Sequence, residues 1–207
     1  MNVWHCLLAA TLALGVPPKD SKEPSSQTTS KDHHLKLAQA IAETCHLATN
    51  STASGLPYAL FGIEETSNSV TGSVVKGVGG YALEPSLAEA YFVLHRMTTK
   101  GENSQKKYQQ YAWELASAIR RYSRVNETEG YSATMDSDQL PPVPTTPLRQ
   151  PPHFISGTLK YLYLTLAPAD CLPLDRWVFN VAGHPLPICS GVADKGTFGC
   201  SGGGGGV

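Results

Sequence analysis

The chain has 207 residues, of which 41% are hydrophobic and only 16% are charged. Charged residues normally make up about 25% of a soluble domain, so this sequence is poor in charge, although it is long enough for one domain or two small ones. Sixteen basic and 17 acidic residues give a formal net charge of −1, which excludes a basic nucleic-acid-binding protein and an acidic tail protein. No apolar run reaches the roughly 20 residues that a membrane-spanning helix needs.

The first predicted element is the apolar run at residues 3–16. Its leucines and alanines, followed by small residues and prolines, have the character of a signal peptide, but the positively charged segment that begins a signal peptide is missing. A short buried helix that carries Cys6 is the alternative. The residues by themselves leave both interpretations open.

Four further segments repeat apolar residues with the period of a helix. They are residues 33–48, 86–98, 105–122 and 154–166. No alternation with a period of two comes close to these segments in length. The sequence therefore predicts a mainly α architecture.

The connections between the helices are polar or rich in glycine and proline. Residues 63–80 are expected to form a polar loop, and residues 136–152 hold six prolines and are expected to form an extended loop. Residues 189–207 include five consecutive glycines, and such a segment gains too little on folding to offset its loss of backbone entropy. We expect this last segment to be a disordered tail.

Five cysteines are present and none forms a CxxC pair. A zinc site built from Cys189, Cys200 and His184 would have poor spacing, so one or two disulfides in a secretory-pathway protein are the favoured interpretation. Asn50 and Asn126 begin N-x-[ST] tripeptides and are candidate glycosylation sites.

Several motifs are shared with one known family. They are M-N-V-W-H-C at 1–6, T-L-A-L-G at 11–15, E-T-C at 43–45, Y-A-L-E-P-S-L-A-E at 81–89, T-L-K-Y-L-Y-L at 158–164, L-P-L-D at 172–175, V-F-N at 178–180 and H-P-L-P at 184–187. With these motifs the chain resembles the C-terminal region of the class I α-1,2-mannosidases, glycoside hydrolase family 47, from residue 1 to about residue 188.

The resemblance implies an all-α fold in which residues 1–188 form part of an (α/α)7 barrel, a toroid of helical hairpins, and in which residues 136–152 are a proline-rich loop. The opening run then becomes an internal barrel helix, and a disulfide joins Cys6 to Cys45. The implied activity is calcium-dependent hydrolysis of terminal α-1,2-mannose on high-mannose N-glycans, in the endoplasmic reticulum or Golgi.

The sequence differs from the family motifs at positions where the family carries acidic or calcium-binding side chains. The motif M-D-H reads M-N-V here, which replaces an acid by Asn2, and R-P-E reads E-P-S, which replaces a glutamate by Ser86. A further family glutamate falls at Pro151. The motif N-T-E-A-H reads N-V-A-G-H, so Val181 stands where the family threonine binds calcium and Ala182 stands where a glutamate follows.

Three of the implied substrate-binding positions are retained. These are Glu89, Phe154 as a sugar-stacking ring, and His184. The alternatives are a solvated helix glutamate, a core phenylalanine and a structural histidine. Hydrolysis of a mannosidic bond needs an acid at the leaving oxygen and a carboxylate that activates water, so this chain by itself is expected to be inactive and not to bind calcium.

Three hypotheses follow. The chain is a class I α-1,2-mannosidase homologue present as a C-terminal fragment, or a non-catalytic protein that binds a high-mannose N-glycan or glycoprotein, or a truncated gene product without independent function. A partial toroid exposes apolar helix faces, so we also expect self-association. Nucleic-acid partners are not expected.

Overall fold

A computed structural model describes residues 1–16, 28–64, 73–98, 102–125, 130–148 and 150–188. The predicted tail at 189–207, the candidate zinc ligands Cys189 and Cys200, and Asn126 lie outside these residues. Within them, no helix is long and apolar enough to cross a membrane.

Helices form at all four predicted segments and in the opening run. A 3-10 helix at Val3–Cys6 leads into α1 (Leu7–Leu14), followed by α2 (Thr28–Asn50), α3 (Ser86–Met97), α4 (Glu102–Tyr122), a π-helix at Phe154–Leu159 and α5 (Lys160–Leu166). The prediction for α4 holds well, because Tyr108, Ala112 and Leu115 lie on its buried face while Trp113 points to solvent.

The helices form two layers. Helix α3 packs between α1 and α5, which gives an inner row of three, and α2 and α4 pack against this row from one side. Every residue of α3 from Ser86 to His95 except Glu89 is buried, so α3 is the centre of the core. The rings of Phe92, Tyr161 and Phe179 meet there with centroids 5.5–5.7 Å apart.

A disulfide joins Cys6 to Cys45, with Cα atoms 6.1 Å apart. Both cysteines are buried, and the bond ties the first turn of the chain to α2. This is the pair that the family resemblance implied. Cys171 is a half-buried free thiol.

The prediction of a polar loop at residues 63–80 is wrong at residues 63–64 and 73–78, and residues 65–72 lie outside the described part of the chain. Strands β1 (Leu60–Glu64) and β2 (Ser73–Val78) pair antiparallel there, with Leu60 opposite Val78 and Ile63 opposite Val74. Only Phe61 of β1 is buried, so the strand lacks the alternation that would reveal it in the sequence.

A second, shorter hairpin follows α5. Strands β3 (Trp177–Phe179) and β4 (Pro185–Pro187) pair antiparallel, and the turn between them carries the N-V-A-G-H sequence. The predicted proline-rich loop at 136–152 contains no helix at its described residues 136–148, 150 and 151, while Pro152 begins the next helical segment. Ser137 anchors the loop by donating a hydrogen bond to the Pro57 carbonyl at 2.7 Å.

Candidate active site

Four segments converge at the N-terminal end of α3: the first turn of the chain, the residues before α3, the π-helix and the β3–β4 turn. The Ser86 hydroxyl lies 3.1 Å from the Val3 carbonyl, and the Thr158 hydroxyl donates to the Leu83 carbonyl at 2.7 Å. Lys160 donates to the Gly183 carbonyl at 2.6 Å. The motifs in which the sequence departs from the family therefore come together in space.

Two glycines allow this convergence. A Cβ on Gly157 would lie 2.8 Å from the Cβ of Pro85, and a Cβ on Gly183 would lie 2.2 Å from the Ser156 carbonyl oxygen. Gly183 also has a φ of +73°, in the left-handed region that favours glycine. The π-helix thus lies directly on the start of α3, and the β3–β4 turn lies directly on the π-helix.

A buried carboxyl group occupies the start of α3. The Ser86 hydroxyl lies 2.7 and 2.6 Å from the two carboxyl oxygens of Glu84, and the Ser86 backbone N–H donates to Oε2 at 3.0 Å. Leu83 adopts a φ of +56° just before it, a conformation uncommon for a residue other than glycine. Glu84 therefore caps a free N–H at the start of the helix, and it is fully shielded from solvent.

The surroundings of Glu84 have opposing effects on the pKa of its carboxyl group. Burial raises its pKa, while the two hydrogen bonds from Ser86 and the charge of His153 lower it. The His153 ring also lies 6.3 Å from that of Trp4. The role of Glu84 could not be predicted from the sequence, because it depends on the backbone turn at Leu83.

Glu89 is the accessible carboxyl of this region. Burial raises its pKa to about 7, against a lowering effect of a hydrogen bond from Tyr161 and a further raising effect of the charge on Glu84. The side chain remains partly exposed. A carboxyl with this pKa can donate or accept a proton near neutral pH.

The positions that differ from the family serve local structure. Asn2 accepts a hydrogen bond from the Trp4 N–H at 3.0 Å and caps the 3-10 helix, and the Pro151 carbonyl accepts from the Phe154 N–H at 3.0 Å. Val181 is fully exposed at the tip of the β3–β4 turn, and the Ala182 N–H donates to Asn180 Oδ1 at 3.0 Å. None of these four side chains carries a carboxylate.

A calcium ion prefers a shell of oxygen ligands, among them carboxylates. Val181 offers no side-chain oxygen, and the described residues contain no group of three or more His, Cys, Asp or Glu side chains that could hold a metal ion. The residues present at this end of α3 do not fit the calcium ion that the resemblance implies.

The three retained positions differ in accessibility. Phe154 is fully buried and its ring centroid lies 5.1 Å from that of Tyr131, so in this structure the side chain packs in the core. His184 is exposed, and its backbone N–H donates to Asn180 Oδ1 at 2.9 Å. Glu89 and His184 are therefore the predicted binding residues that a ligand could reach.

The sequence also matches known proteins. The profile described as glycosyl hydrolase family 47 matches residues 1–188. The chain belongs to glycosyl hydrolase family 47. It is 36% identical over 188 residues to mannosyl-oligosaccharide 1,2-alpha-mannosidase IB of Homo sapiens, a match that covers 91% of this chain and 26% of that protein. It is also 32% identical over 196 residues to the endoplasmic reticulum mannosyl-oligosaccharide 1,2-alpha-mannosidase of Rattus norvegicus, covering 92% of this chain and 27% of that protein.

The fold agrees with this family assignment. The alpha-1,2-mannosidase from Trichoderma reesei superposes with a TM-score of 0.71 at 20% identity, covering 91% of this chain and 39% of that chain. The chain thus spans about a quarter of the length of the curated relatives. The family fold is an (α/α)7 barrel, so the predicted helical, partial-toroid fold is confirmed: the inner row and its two outer helices form an arc of that barrel.

Proposed function

We propose that this family 47 chain corresponds to the C-terminal part of a class I α-1,2-mannosidase catalytic domain and that by itself it does not hydrolyse mannosides. One observation carries the proposal. The positions at which the family resemblance implies an acid hold Asn2, Ser86, Pro151 and Ala182, and these groups are engaged in local structure.

The remaining carboxyls cannot take over the reaction. Inverting hydrolysis needs a protonated acid on one face of the sugar and a carboxylate that activates water on the other. Glu84 is shielded from solvent and hydrogen-bonded to Ser86, and Glu89 is the carboxyl retained at a family site position that stays partly exposed. A single reachable carboxyl does not supply both roles, and no calcium is expected to be bound.

The test is calcium-dependent release of mannose from a high-mannose N-glycan with terminal α-1,2-linked residues. We expect no release above the enzyme-free rate at micromolar concentrations of the purified chain. Human mannosidase IB serves as the positive control. Release that requires calcium and stops when a chelator is added would refute the proposal.

A second candidate function is non-catalytic binding of a high-mannose glycan or glycoprotein. It is favoured by Glu89, which stays partly exposed and is hydrogen-bonded to Tyr161, whose ring packs on Phe179 of β3. Titration calorimetry with millimolar mannose and a high-mannose glycopeptide tests it, with Glu89→Gln as the matched variant. If neither ligand gives heat, the binding function is refuted, and the hypothesis of a gene product without independent function is retained.

We further propose that the chain resides in the secretory pathway. The buried Cys6–Cys45 disulfide supports this, because such bonds form in oxidising compartments. Asn50, exposed at the end of α2, and Asn126 are the proposed glycosylation sites. A mass shift on enzymatic deglycosylation that disappears in Asn50→Gln and Asn126→Gln would support these assignments.

A further inference from the structure

A buried carboxyl group without an ion pair lies at the start of α3. Glu84 is fully shielded from solvent, and its carboxyl takes part in none of the ion pairs of the described residues. Its hydrogen-bond partners are the hydroxyl and the backbone N–H of Ser86. A carboxylate that is removed from water and has no cation paired with it is strongly unfavourable, whereas a neutral acid with hydrogen bonds is not.

The atoms around the Ser86 hydroxyl indicate where a proton lies. Ser86 Oγ lies 2.7 and 2.6 Å from Glu84 Oε1 and Oε2 and 3.1 Å from the Val3 carbonyl oxygen. A hydroxyl donates one proton, and if Glu84 is ionised these three neighbours are all acceptors that compete for it. If Glu84 is protonated on Oε1, it donates to Ser86 Oγ, and the Ser86 hydroxyl is free to donate to Val3. The Ser86 N–H then donates to Oε2 at 3.0 Å, so each of these polar groups has a partner.

We propose that Glu84 is held as a neutral carboxylic acid whose proton completes a hydrogen-bonded chain from Glu84 through Ser86 to the Val3 carbonyl, here called the acid latch. The latch fastens the first turn of the chain to the start of α3, two segments that lie 83 residues apart in the sequence. Loss of the proton removes the donor from Val3 and leaves an unpaired charge between the two segments, so the latch should open as the pH rises. It depends neither on the family assignment nor on the absence of hydrolysis.

Few titratable groups of the described structure face the acid latch. Burial raises the pKa of Glu84, and the charge of His153, which precedes the π-helix, acts to lower it. Burial also raises the pKa of Glu89 on α3 and of Tyr81 before α3, and a charge on Glu84 would add to both shifts. The π-helix presents the Thr158 hydroxyl, which donates to a backbone carbonyl at 2.7 Å, and the first turn presents a second carbonyl. Among the described residues, His153 is therefore the cationic group that favours an ionised Glu84.

The test of the protonation state is carbon-13 NMR of the full chain with its glutamates labelled at the carboxyl carbon. At about pH 6, where an ordinary glutamate is ionised, the Glu84 resonance is expected at the position of a protonated acid. Its absence from the spectrum of Glu84→Gln identifies it. A Glu84 resonance at the position of a carboxylate at this pH would overturn the proposal.

Amide hydrogen exchange tests the latch itself. The Val3 N–H donates to the Ala59 carbonyl at 3.2 Å, so its protection reports how firmly the first turn is attached. Protection in wild type relative to Glu84→Gln should fall at least tenfold between about pH 5 and 8, because glutamine keeps an N–H donor for Ser86 at every pH. Ser86→Ala should lower the protection of Val3 at every pH.

Thr158→Val is the matched control, because it removes a buried hydroxyl at the same end of α3 that is not part of the latch. Its Val3 protection should keep the pH dependence of wild type. A ratio of protection between wild type and Glu84→Gln that is the same at every pH would overturn the proposal. If Glu84→Gln does not fold, the infrared carbonyl band of a protonated acid is measured in Glu89→Gln at about pH 6. Its presence is expected, and its absence overturns the proposal.

Discussion

Gly157 shows how one residue fixes the geometry of the candidate site. A Cβ at this position would lie 2.8 Å from the Pro85 ring, which cannot rotate away. Gly157→Ala should therefore push the π-helix off the start of α3 and lower the free energy of unfolding by about 1–3 kcal/mol. Urea denaturation followed by circular dichroism measures this.

Gly15→Ala is the control for that substitution. Its nearest atoms would lie 3.5 and 3.6 Å from the new Cβ, which is ordinary contact, and its φ is −70°. We expect a change within about 0.5 kcal/mol. Equal stability of the two alanine variants would contradict the close packing of the π-helix on Pro85.

Glu89 should make stability depend on pH. Its pKa is raised from 4.5 to about 7 by burial, so between these values the folded state holds a proton that the unfolded chain has released. The stabilisation from Glu89 is complete below pH 4.5 and is lost as pH rises through 7. After allowance for partial exposure, wild type should lose about 1–2 kcal/mol relative to Glu89→Gln between pH 5 and 8.

The measurement is a series of urea titrations across that pH range. If Glu89→Gln runs parallel to wild type across this range, the raised pKa of Glu89 is refuted.

The sequence predicted the site residues only in part. Comparison with the family motifs identifies the substitutions at Asn2, Ser86 and Val181, because they change the type of side chain. The sequence does not predict that Phe154 and Glu84 are buried, since burial depends on packing against Tyr131 and on the positive φ of Leu83. The sequence shows the type of each side chain, but it does not show which side chains the solvent can reach.

At the scale of elements, the Cys6–Cys45 disulfide links the first turn of the chain to α2 across a sequence separation of 39 residues. Closing a loop of this length lowers the entropy of the unfolded chain, which corresponds to about 3–4 kcal/mol of stability. The double variant Cys6→Ala/Cys45→Ala should lose that amount in a denaturant titration. Cys171→Ala removes a half-buried free thiol and should lose much less; a double variant as stable as Cys171→Ala would contradict this role.

The helices and the strands differ in how far the sequence predicts them. Helices α3 and α4 repeat buried residues over three or more turns, so their period emerges clearly. Strands β3 and β4 have three residues each, which is too short for a period, and β1 buries only Phe61. These strands are held by backbone pairing and by their neighbours rather than by a pattern of their own.

At the scale of the whole molecule, His46 connects three helices. From α2 its Nδ1 lies 3.0 Å from the Tyr91 hydroxyl on α3, and its ring stacks on Tyr111 of α4 with centroids 3.3 Å apart. Its Nε2 lies 3.0 Å from Asn50 Nδ2 and 3.3 Å from Glu114 Oε2. The layered arrangement of α2, α3 and α4 therefore depends on a buried imidazole.

This imidazole should make the arc sensitive to acid. Burial lowers the pKa of His46 from 6.5 to about 4, with Glu114 and Glu43 acting to raise it and Lys107 acting to lower it. Between these values the unfolded chain binds a proton that the folded state does not, so the stabilisation is complete above pH 6.5 and is lost as pH falls through 4. Wild type should lose about 2 kcal/mol between pH 7.5 and 5 through this group, opposite in sign to the effect of Glu89.

His46→Gln separates the two effects, because glutamine can still hydrogen-bond to Tyr91 but does not titrate. The variant is expected to be less stable than wild type at pH 7.5, through lost packing on Tyr111, and the difference should shrink by about 2 kcal/mol at pH 5. A constant difference between His46→Gln and wild type at both pH values would show that His46 carries no such linkage, and the acid sensitivity of the arc would then have to arise elsewhere.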